Sequence, residues 1–308
     1  MFKKALAVLI ASTCVTTTSF AAVLDGDNAG LNNSLSGKLN DWALTFFSIA
    51  SQSNMKPGKT ANSDRAVDSY NYISTNYKLD SRQKVALNLP FTFNTQGQNE
   101  YGDQETSNFA LGDIHFVYSN YDLGYFGDID LSGKAKVYLP TSKASQSQGL
   151  ISKFRFEGYA DYQISRQWSV AYVAKPDIYW QSQTANLNDT IPQFDDGNYV
   201  TDPRQANKQF GLEHYLQVQY DINSVISFTT KTGFNESWYH YSAVEDVGGD
   251  HTTALRLGLS MWIRPVRGLS FTLGVSNDTI LNSYKGQDIA IWQPFNTQYS
   301  LMTNAYLF

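Results

Sequence analysis

Apolar and polar residues alternate along this chain in repeated segments of about ten residues. Residues 84–94, KVALNLPFTFN, show the pattern clearly. Successive side chains of a β-strand point to opposite faces, so this segment would have one apolar and one polar face. Its apolar face consists of Val85, Leu87, Leu89, Phe91 and Phe93. The same alternation returns in residues 127–140 and 151–164, which predicts a repeated, two-faced strand.

Over the whole sequence, the alternating pattern predicts twelve strands. They lie near residues 39–51, 68–79, 84–95, 108–121, 127–140, 150–164, 167–181, 208–221, 225–240, 252–264, 268–280 and 294–308. The connections alternate between short and long. Short ones are predicted at residues 80–83, 124–126, 165–166, 223–224 and 265–267. Strict alternation puts every long loop at one end, as in an all-β, antiparallel, up-and-down transmembrane barrel.

The composition is compatible with a transmembrane β-barrel, which a hydropathy plot would not detect. The mean hydropathy is −0.36, yet aromatic residues make up 14% of the chain, with 20 Tyr and 18 Phe. No stretch after the first 21 residues approaches the ~20 apolar residues of a membrane helix. A transmembrane β-barrel has a polar interior on every second residue, so its mean hydropathy stays low.

The start of the chain is typical of a signal peptide. Met1-Phe2-Lys3-Lys4 is followed by ALAVLIA and then by SFAA, which predicts cleavage after Ala21. The alternative is an N-terminal membrane anchor, for which the apolar run is short. The predicted domains are a signal peptide at 1–21, a short periplasmic segment at 22–37 and a barrel at 38–308. The segment at 24–37 could also be a short helix or part of the first strand.

Charge and cysteine content exclude some functions. The formal net charge is −5, and removal of Lys3 and Lys4 with the signal peptide makes it −7, which argues against nucleic acid as a partner. Cys14, the single cysteine, lies within the signal peptide. The mature chain therefore has no disulfide or cysteine–metal site.

The sequence ends in NAYLF, with Tyr306 and Phe308 two residues apart. This ending resembles the outer-membrane β-barrels of Gram-negative bacteria, in which a final Phe with an aromatic two residues before it is an assembly signal. The resemblance implies outer-membrane lipid, lipopolysaccharide and the barrel-assembly machinery as partners. The even number of strands, with the long loops on the outside, predicts that both termini are periplasmic. One feature departs from the resemblance, because Tyr299, Leu301 and Leu307 make the odd positions the more apolar ones. Phe308 would then face lipid only if a bulge shifted the register.

Two short segments carry a second resemblance. LGDIHF at 111–116 and KVYLPT at 136–141 are similar to motifs of the transporter family linked to the meta-pathway of phenol degradation. That resemblance implies an outer-membrane channel for small solutes, with aromatic compounds as one option. It assigns no binding residues.

The polar faces of the fifth to seventh predicted strands are rich in charge. The bases predicted to line the pore are Lys134, Lys136, Lys153, Arg155 and Lys175. Two acids, Glu157 and Asp177, are predicted to lie between these bases. A basic pore lining favours anions, because an entering cation meets like charge. The alternative is that these residues only form structural salt bridges. The sequence thus predicts a narrow channel for passive diffusion of small solutes, with an anion preference as one reading of its lining.

The sequence also allows functions other than a channel. A closed barrel could act as an adhesin or interaction module through its long loops. A lipid-facing hydrolase would use His214, but the same face of the next strand offers Thr230 and Thr232 and no serine. The acidic loop at 182–207, with Asp195 and Asp196, is better read as solvated than as a divalent-cation site. We therefore expect no enzyme activity, cofactor or metal, and leave a homo-oligomer open.

Overall fold

The computed structural model describes residues 41–53, 67–94, 109–187, 194–195, 198–199, 204–240, 251–281 and 297–307. Twelve long strands dominate this part of the chain. They are β1 (Trp42–Ser53), β2 (Asp68–Lys78), β3 (Gln83–Asn94), β4 (His115–Phe126), β5 (Ile129–Tyr138), β6 (Leu150–Gln163), β7 (Trp168–Gln181), β8 (Lys208–Asp221), β9 (Ile226–Tyr239), β10 (His251–Val266), β11 (Leu269–Ile280) and β12 (Thr297–Tyr306). The predicted first and last strands start at 39 and 294, outside the described residues, as do the predicted signal peptide and the segment 22–37.

Shorter elements accompany the long strands. Phe109–Leu111 pairs with the end of β3, ahead of β4. Within the longest loop, Ala185–Leu187 pairs with Arg204–Ala206, and Phe194–Asp195 pairs with Asn198–Tyr199. A single-turn helix, α1 (Lys143–Ser147), lies between β5 and β6. In the described part of the chain, no helix has the length and apolar character needed to cross a bilayer.

The twelve strands close into one antiparallel barrel. Each pairs with its neighbours in sequence, and β1 pairs with β12 from Thr45↔Tyr306 to Ser53↔Gln298. Closure leaves no unpaired sheet edge among these strands, which is the condition for a sheet in a bilayer. The predicted all-β barrel of twelve strands is confirmed.

The two ends of the barrel differ in their connections. Turns of two to four residues, at 79–82, 127–128, 164–167, 222–225 and 267–268, join strands at one end, which we call the short-turn end. β1 begins and β12 ends there. The connections at the opposite, long-loop end are all longer, and the one between β7 and β8 runs from 182 to 207.

Two predicted turns were placed too early. The chain does not turn at residues 124–126, because β4 continues to Phe126 after a register shift between Asn120 and Gly124. The turn follows at 127–128, where Gly127 has φ 62°, a left-handed conformation that glycine adopts without strain. The turn predicted at 265–267 likewise lies at 267–268, with Gly268 at φ 84°.

Side-chain exposure follows the predicted alternation. Phe156 and Leu216 are 47% and 44% exposed on the outer face, whereas Val173 and Lys175 on the inner face are 2% and 1% exposed. In β12 the odd positions face outward. Tyr306 therefore faces the lumen, where it lines a cavity, and Phe308 lies outside the described residues.

Candidate functional site: the charged lumen

The predicted pore-lining bases all project from the inner faces of β5, β6 and β7. Lys134 and Lys136 on β5 are buried, and Lys175 on β7 is nearly inaccessible. Lys153 and Arg155 on β6 are partly buried. Strand alternation is the reason that these residues share the lumen, because each strand offers every second side chain to it.

Two acids hold three of these bases together. The guanidinium of Arg155 donates to both carboxylate oxygens of Asp177, at 2.6 and 2.7 Å. The ammonium of Lys153 lies 3.4 Å from the same carboxylate, and that of Lys136 lies 2.8 Å from Glu157. Both acids are more than nine-tenths buried. Lys136, Lys153 and Arg155 thus all form ion pairs on the lumen wall.

Tyrosine rings surround the ammonium groups. Lys153 lies over two rings, 5.0 Å from the centroid of Tyr138 and 4.9 Å from that of Tyr179. Lys134 lies 5.5 Å from the centroid of Tyr159, whose hydroxyl donates to Glu157 at 2.7 Å. A ring face attracts a cation without cancelling its charge. The lining is therefore both cationic and aromatic.

The charged lining extends beyond β5–β7, where the sequence predicted it, onto β8–β11. On β10, Arg256 is 2% exposed and lies 3.0 Å from Glu213 of β8 and 2.8 Å from Asp278 of β11. Lys231 of β9 and Lys175 both lie near the ring of Tyr215, at 5.0 and 5.5 Å. The alternation of inward and outward residues along β8–β11 is the sequence signal that identifies them.

We call these charged lumen residues the basic band. Its bases are Lys134, Lys136, Lys153, Arg155, Lys175, Lys208, Lys231 and Arg256, and its acids are Glu157, Asp177, Glu213 and Asp278. Eight bases face four acids within the described residues. Asp130 and Asp161 lie outside the band, toward the short-turn end. The band thus carries an excess of positive charge.

The opposite wall of the lumen is mostly uncharged within the described residues, although Lys84 of β3 lines it. Phe47, Ile49 and Met302, from β1 and β12, form an apolar cluster, and Tyr72 stacks on Phe47 with 4.7 Å between ring centroids. Nearer the short-turn end, a cavity of about 60 Å³ is lined largely by polar side chains of β1–β4 and β12. The lumen therefore has a strongly charged wall on β5–β10 and, across from it, a wall of mainly apolar and neutral polar side chains.

Comparisons with known proteins agree with this architecture. No model of a protein family matches the sequence, and no curated protein matches it. An outer membrane channel from Pseudomonas putida F1 has a TM-score of 0.57 at 11% identity, over 88% of this chain and 97% of that one. The chain is a twelve-stranded outer-membrane β-barrel. That fold locates it in the outer membrane.

Two further structures resemble the outer-membrane barrel at lower TM-scores. The outer membrane channel DcaP of Acinetobacter baumannii has a TM-score of 0.36 at 8% identity, over 86% of this chain and 96% of that one. LpxR of Salmonella typhimurium has a TM-score of 0.41 at 8% identity, over 86% of this chain and 100% of that one.

The barrel brings together the two motifs that resemble the phenol-pathway transporters. The hydroxyl of Thr141 accepts from the amide of Ile114 at 2.9 Å and donates to the carbonyl of Gly112 at 3.0 Å. The carboxylate of Asp113 accepts from the amide of Ser142, the N-cap of α1, at 2.9 Å, and from the hydroxyl of Ser145. These residues fasten the connection between β5 and β6 to the start of β4, which is a structural role. The relationship to that family stays a prediction.

The barrel places His214 on its outer wall, as predicted. Its polar contacts are with Tyr172 and Glu236, each at 3.3 Å, and neither partner is a nucleophile of the kind that the hydrolase alternative needs. His115 faces the lumen, 3.0 Å from the side-chain amide of Asn88. Within the described residues, no three His, Cys, Asp or Glu side chains are positioned to hold a metal ion. Asp196 lies outside those residues.

Proposed function

We propose that this barrel is an outer-membrane channel through which small solutes diffuse passively, with a preference for anions. The observation that carries the proposal is the basic band, in which eight bases face four acids on buried lumen walls. A solute crossing the lumen passes close to this net positive charge. The low exposure of Lys175 and Arg256 indicates a narrow passage at their level.

Selection would rest on size and charge together. Charges on a pore wall act strongly where little water separates them from the solute. Lys134, Lys136, Lys153, Arg155 and Lys175 supply most of the positive charge, while Glu157 and Asp177 hold Lys136, Lys153 and Arg155 in fixed positions. A cation meets like charge, and a large solute meets side chains that are locked by pairing.

The proposed orientation has the short-turn end in the periplasm. Bacterial outer-membrane barrels have short periplasmic turns and long extracellular loops, and this barrel has the same asymmetry. Both termini of the barrel would then be periplasmic. A protease-cleavage site inserted at residues 187–193 should be cut in intact cells, and one inserted at 222–225 should be protected.

The proposed assembly signal comprises Tyr306 and Phe308, with the barrel-assembly machinery as the partner that reads it. Deletion of Phe308 should lower the amount of heat-modifiable, folded protein in the outer membrane. Refolding of the purified chain in detergent should change little, because no machinery takes part. Equal yields in cells would contradict the assignment.

The test of the channel is single-channel recording in a planar bilayer under a salt gradient, with refolded residues 22–308. Steady openings with an anionic reversal potential are expected. Neutralising Lys134, Lys136 and Arg155 to Gln should shift that potential toward zero. Thr230→Val, on the outer face, is the control. A silent bilayer from protein that is demonstrably folded would contradict the channel and direct attention to a closed barrel that acts through its loops.

A further inference from the structure

The outer wall of the barrel carries a polar cluster that the channel does not use. It consists of Tyr172 on β7, His214 on β8, Glu236 on β9, and His251 and Thr253 on β10. Strand alternation places all five on the outer face, because positions of the opposite parity on these strands, such as Glu213, Ser237 and Arg256, are buried on the lumen side. Ionisable side chains seldom face lipid, and where they occur within the membrane they mark functional sites.

Polar contacts join the cluster across four adjacent strands. The hydroxyl of Tyr172 lies 3.3 Å from Nδ1 of His214, and Nε2 of that histidine lies 3.3 Å from Oε1 of Glu236. The second carboxylate oxygen lies 3.3 Å from Nε2 of His251, which is 3.4 Å from the hydroxyl of Thr253. One carboxylate is therefore held between two imidazole rings.

The cluster lies at head-group depth. His251 is paired in register with Trp238 and stacks on it, with 4.6 Å between ring centroids, and tryptophan is typical of the membrane interface. Glu236 is two residues closer to the barrel middle, and His214 is level with Phe234, four residues from Trp238. Four residues of a tilted strand correspond to roughly 10 Å along the barrel axis. The cluster thus reaches from the tryptophan level toward the acyl chains.

The charge of the cluster favours a cation. The described outer faces of β7–β10 carry no lysine or arginine. With histidine counted as neutral, Glu236 gives the cluster one negative charge. The side chains of His214, Glu236 and His251 remain 25%, 24% and 37% exposed, so a lipid can reach them.

Aromatic rings complete the chemistry of a cation site. Phe234 lies 5.7 Å from the ring of His214, and Tyr172 and Trp238 flank the cluster on either side. A carboxylate beside aromatic rings suits an ammonium group, which combines ion pairing with cation–π attraction. A phosphate would be repelled by Glu236.

We propose that this outer-wall cluster binds the primary ammonium of a lipid head group, with Glu236 as the acceptor. Phosphatidylethanolamine and amine-substituted lipopolysaccharide both present that group. Phosphatidylglycerol, which has the same phosphate and no amine, does not.

The test is native mass spectrometry of the refolded barrel, titrated in detergent with phosphatidylethanolamine or phosphatidylglycerol. Retention of the amine lipid should be favoured about tenfold, which corresponds to ~1.4 kcal/mol. Glu236→Gln and Glu236→Leu should abolish the preference, and the second variant should fold readily because it places an apolar residue against lipid. Thr230→Val, on the same wall, should retain it. A parallel titration with lipopolysaccharide with and without amine substitution identifies which source binds more tightly.

Several results would overturn the proposal. Equal retention of the amine and non-amine forms by the wild-type barrel would do so, as would a preference that persists in both Glu236 variants. A two-copy mass that disappears in Glu236→Gln would instead make this wall an interface between barrels. Conductance and reversal potential should not change in these variants, because Glu236 faces away from the lumen, so the lipid site and the channel can fail separately.

Discussion

The carboxylate of Asp177 accepts two hydrogen bonds from Arg155 and lies 3.4 Å from the ammonium of Lys153, so one acid serves two bases. This arrangement spans the adjacent strands β6 and β7. It keeps two positive charges close together on the lumen wall while leaving the wall with a net positive charge. Pairing and selectivity are therefore compatible in the same residues.

Replacement of Asp177 by Asn should increase the anion preference of the channel and lower the stability of the barrel. The substitution removes a negative charge and leaves Arg155 and Lys153 without their shared carboxylate, at a cost of about 2 kcal/mol. The reversal potential and the urea midpoint of unfolding measure the two effects. Asp130→Asn, nearer the short-turn end, should leave stability unchanged. A reversal potential that moves toward cation preference would contradict the charge assignment.

Arg256 should behave as the centre of a three-residue ion network. Arg256→Gln removes the base that contacts both Glu213 and Asp278, so a loss of roughly 3 kcal/mol in unfolding free energy is expected. The triple variant that also carries Glu213→Gln and Asp278→Asn should recover most of that loss, because it removes both acids together with the base that they share. Urea unfolding of both variants tests this, and a triple variant less stable than the single one would refute it.

Gly233 should tolerate no side chain. A Cβ atom at this position would lie 2.1 Å from the carbonyl oxygen of His214 and 2.4 Å from Cα of Tyr215. Gly233→Ala should therefore disturb the pairing of β8 with β9 and sharply reduce the heat-modifiable fraction on refolding. Gly158→Ala is the matched control, since its nearest neighbour would be the Ala174 carbonyl oxygen at 3.9 Å. Equal refolding of the two variants would show that β8 and β9 can shift to accommodate the methyl group.

Thr141→Val should loosen the connection between β5 and β6 and leave the barrel intact. The substitution keeps the side-chain shape but removes the contacts with Ile114 and Gly112, at a cost of about 1 kcal/mol. Hydrogen exchange should rise in residues 139–149 and at the start of β4. Thr92→Val, which removes only a 3.4 Å hydrogen bond to Ala110, should have little effect. Unchanged exchange in Thr141→Val would mean that the remaining contacts, including those of Asp113, are sufficient to hold this connection.

Strand positions and faces were predictable because lipid and lumen impose opposite demands on successive residues. Polarity alone predicts the faces of adjacent residues: Val85 and Phe154 face lipid, whereas Lys84 and Arg155 face the lumen. Turn positions were harder to predict from the sequence. The register shift after Asn120 depends on backbone pairing, which the polarity of the side chains does not encode.

The partners of charged side chains were the hardest feature to predict. Glu213 and Arg256 are 43 positions apart, and their contact reaches across β9, which separates β8 from β10. The polar cluster on the outer wall was not predicted for a different reason. A hydrolase would need a serine on β9 beside His214, whereas the residue that contacts His214 there is Glu236.

The pairing of β1 with β12 also governs how the molecule must be made. Thr45 meets Tyr306, so the first strand obtains its second neighbour only after nearly the whole chain has been synthesised. Every shorter intermediate has two open sheet edges, which invite association with other chains. Loop closure over such a distance is also slow. A chain of this kind depends on being kept apart from its copies until the last strand arrives, so its yield in cells should respond to the supply of periplasmic chaperones more than to the strength of any single contact.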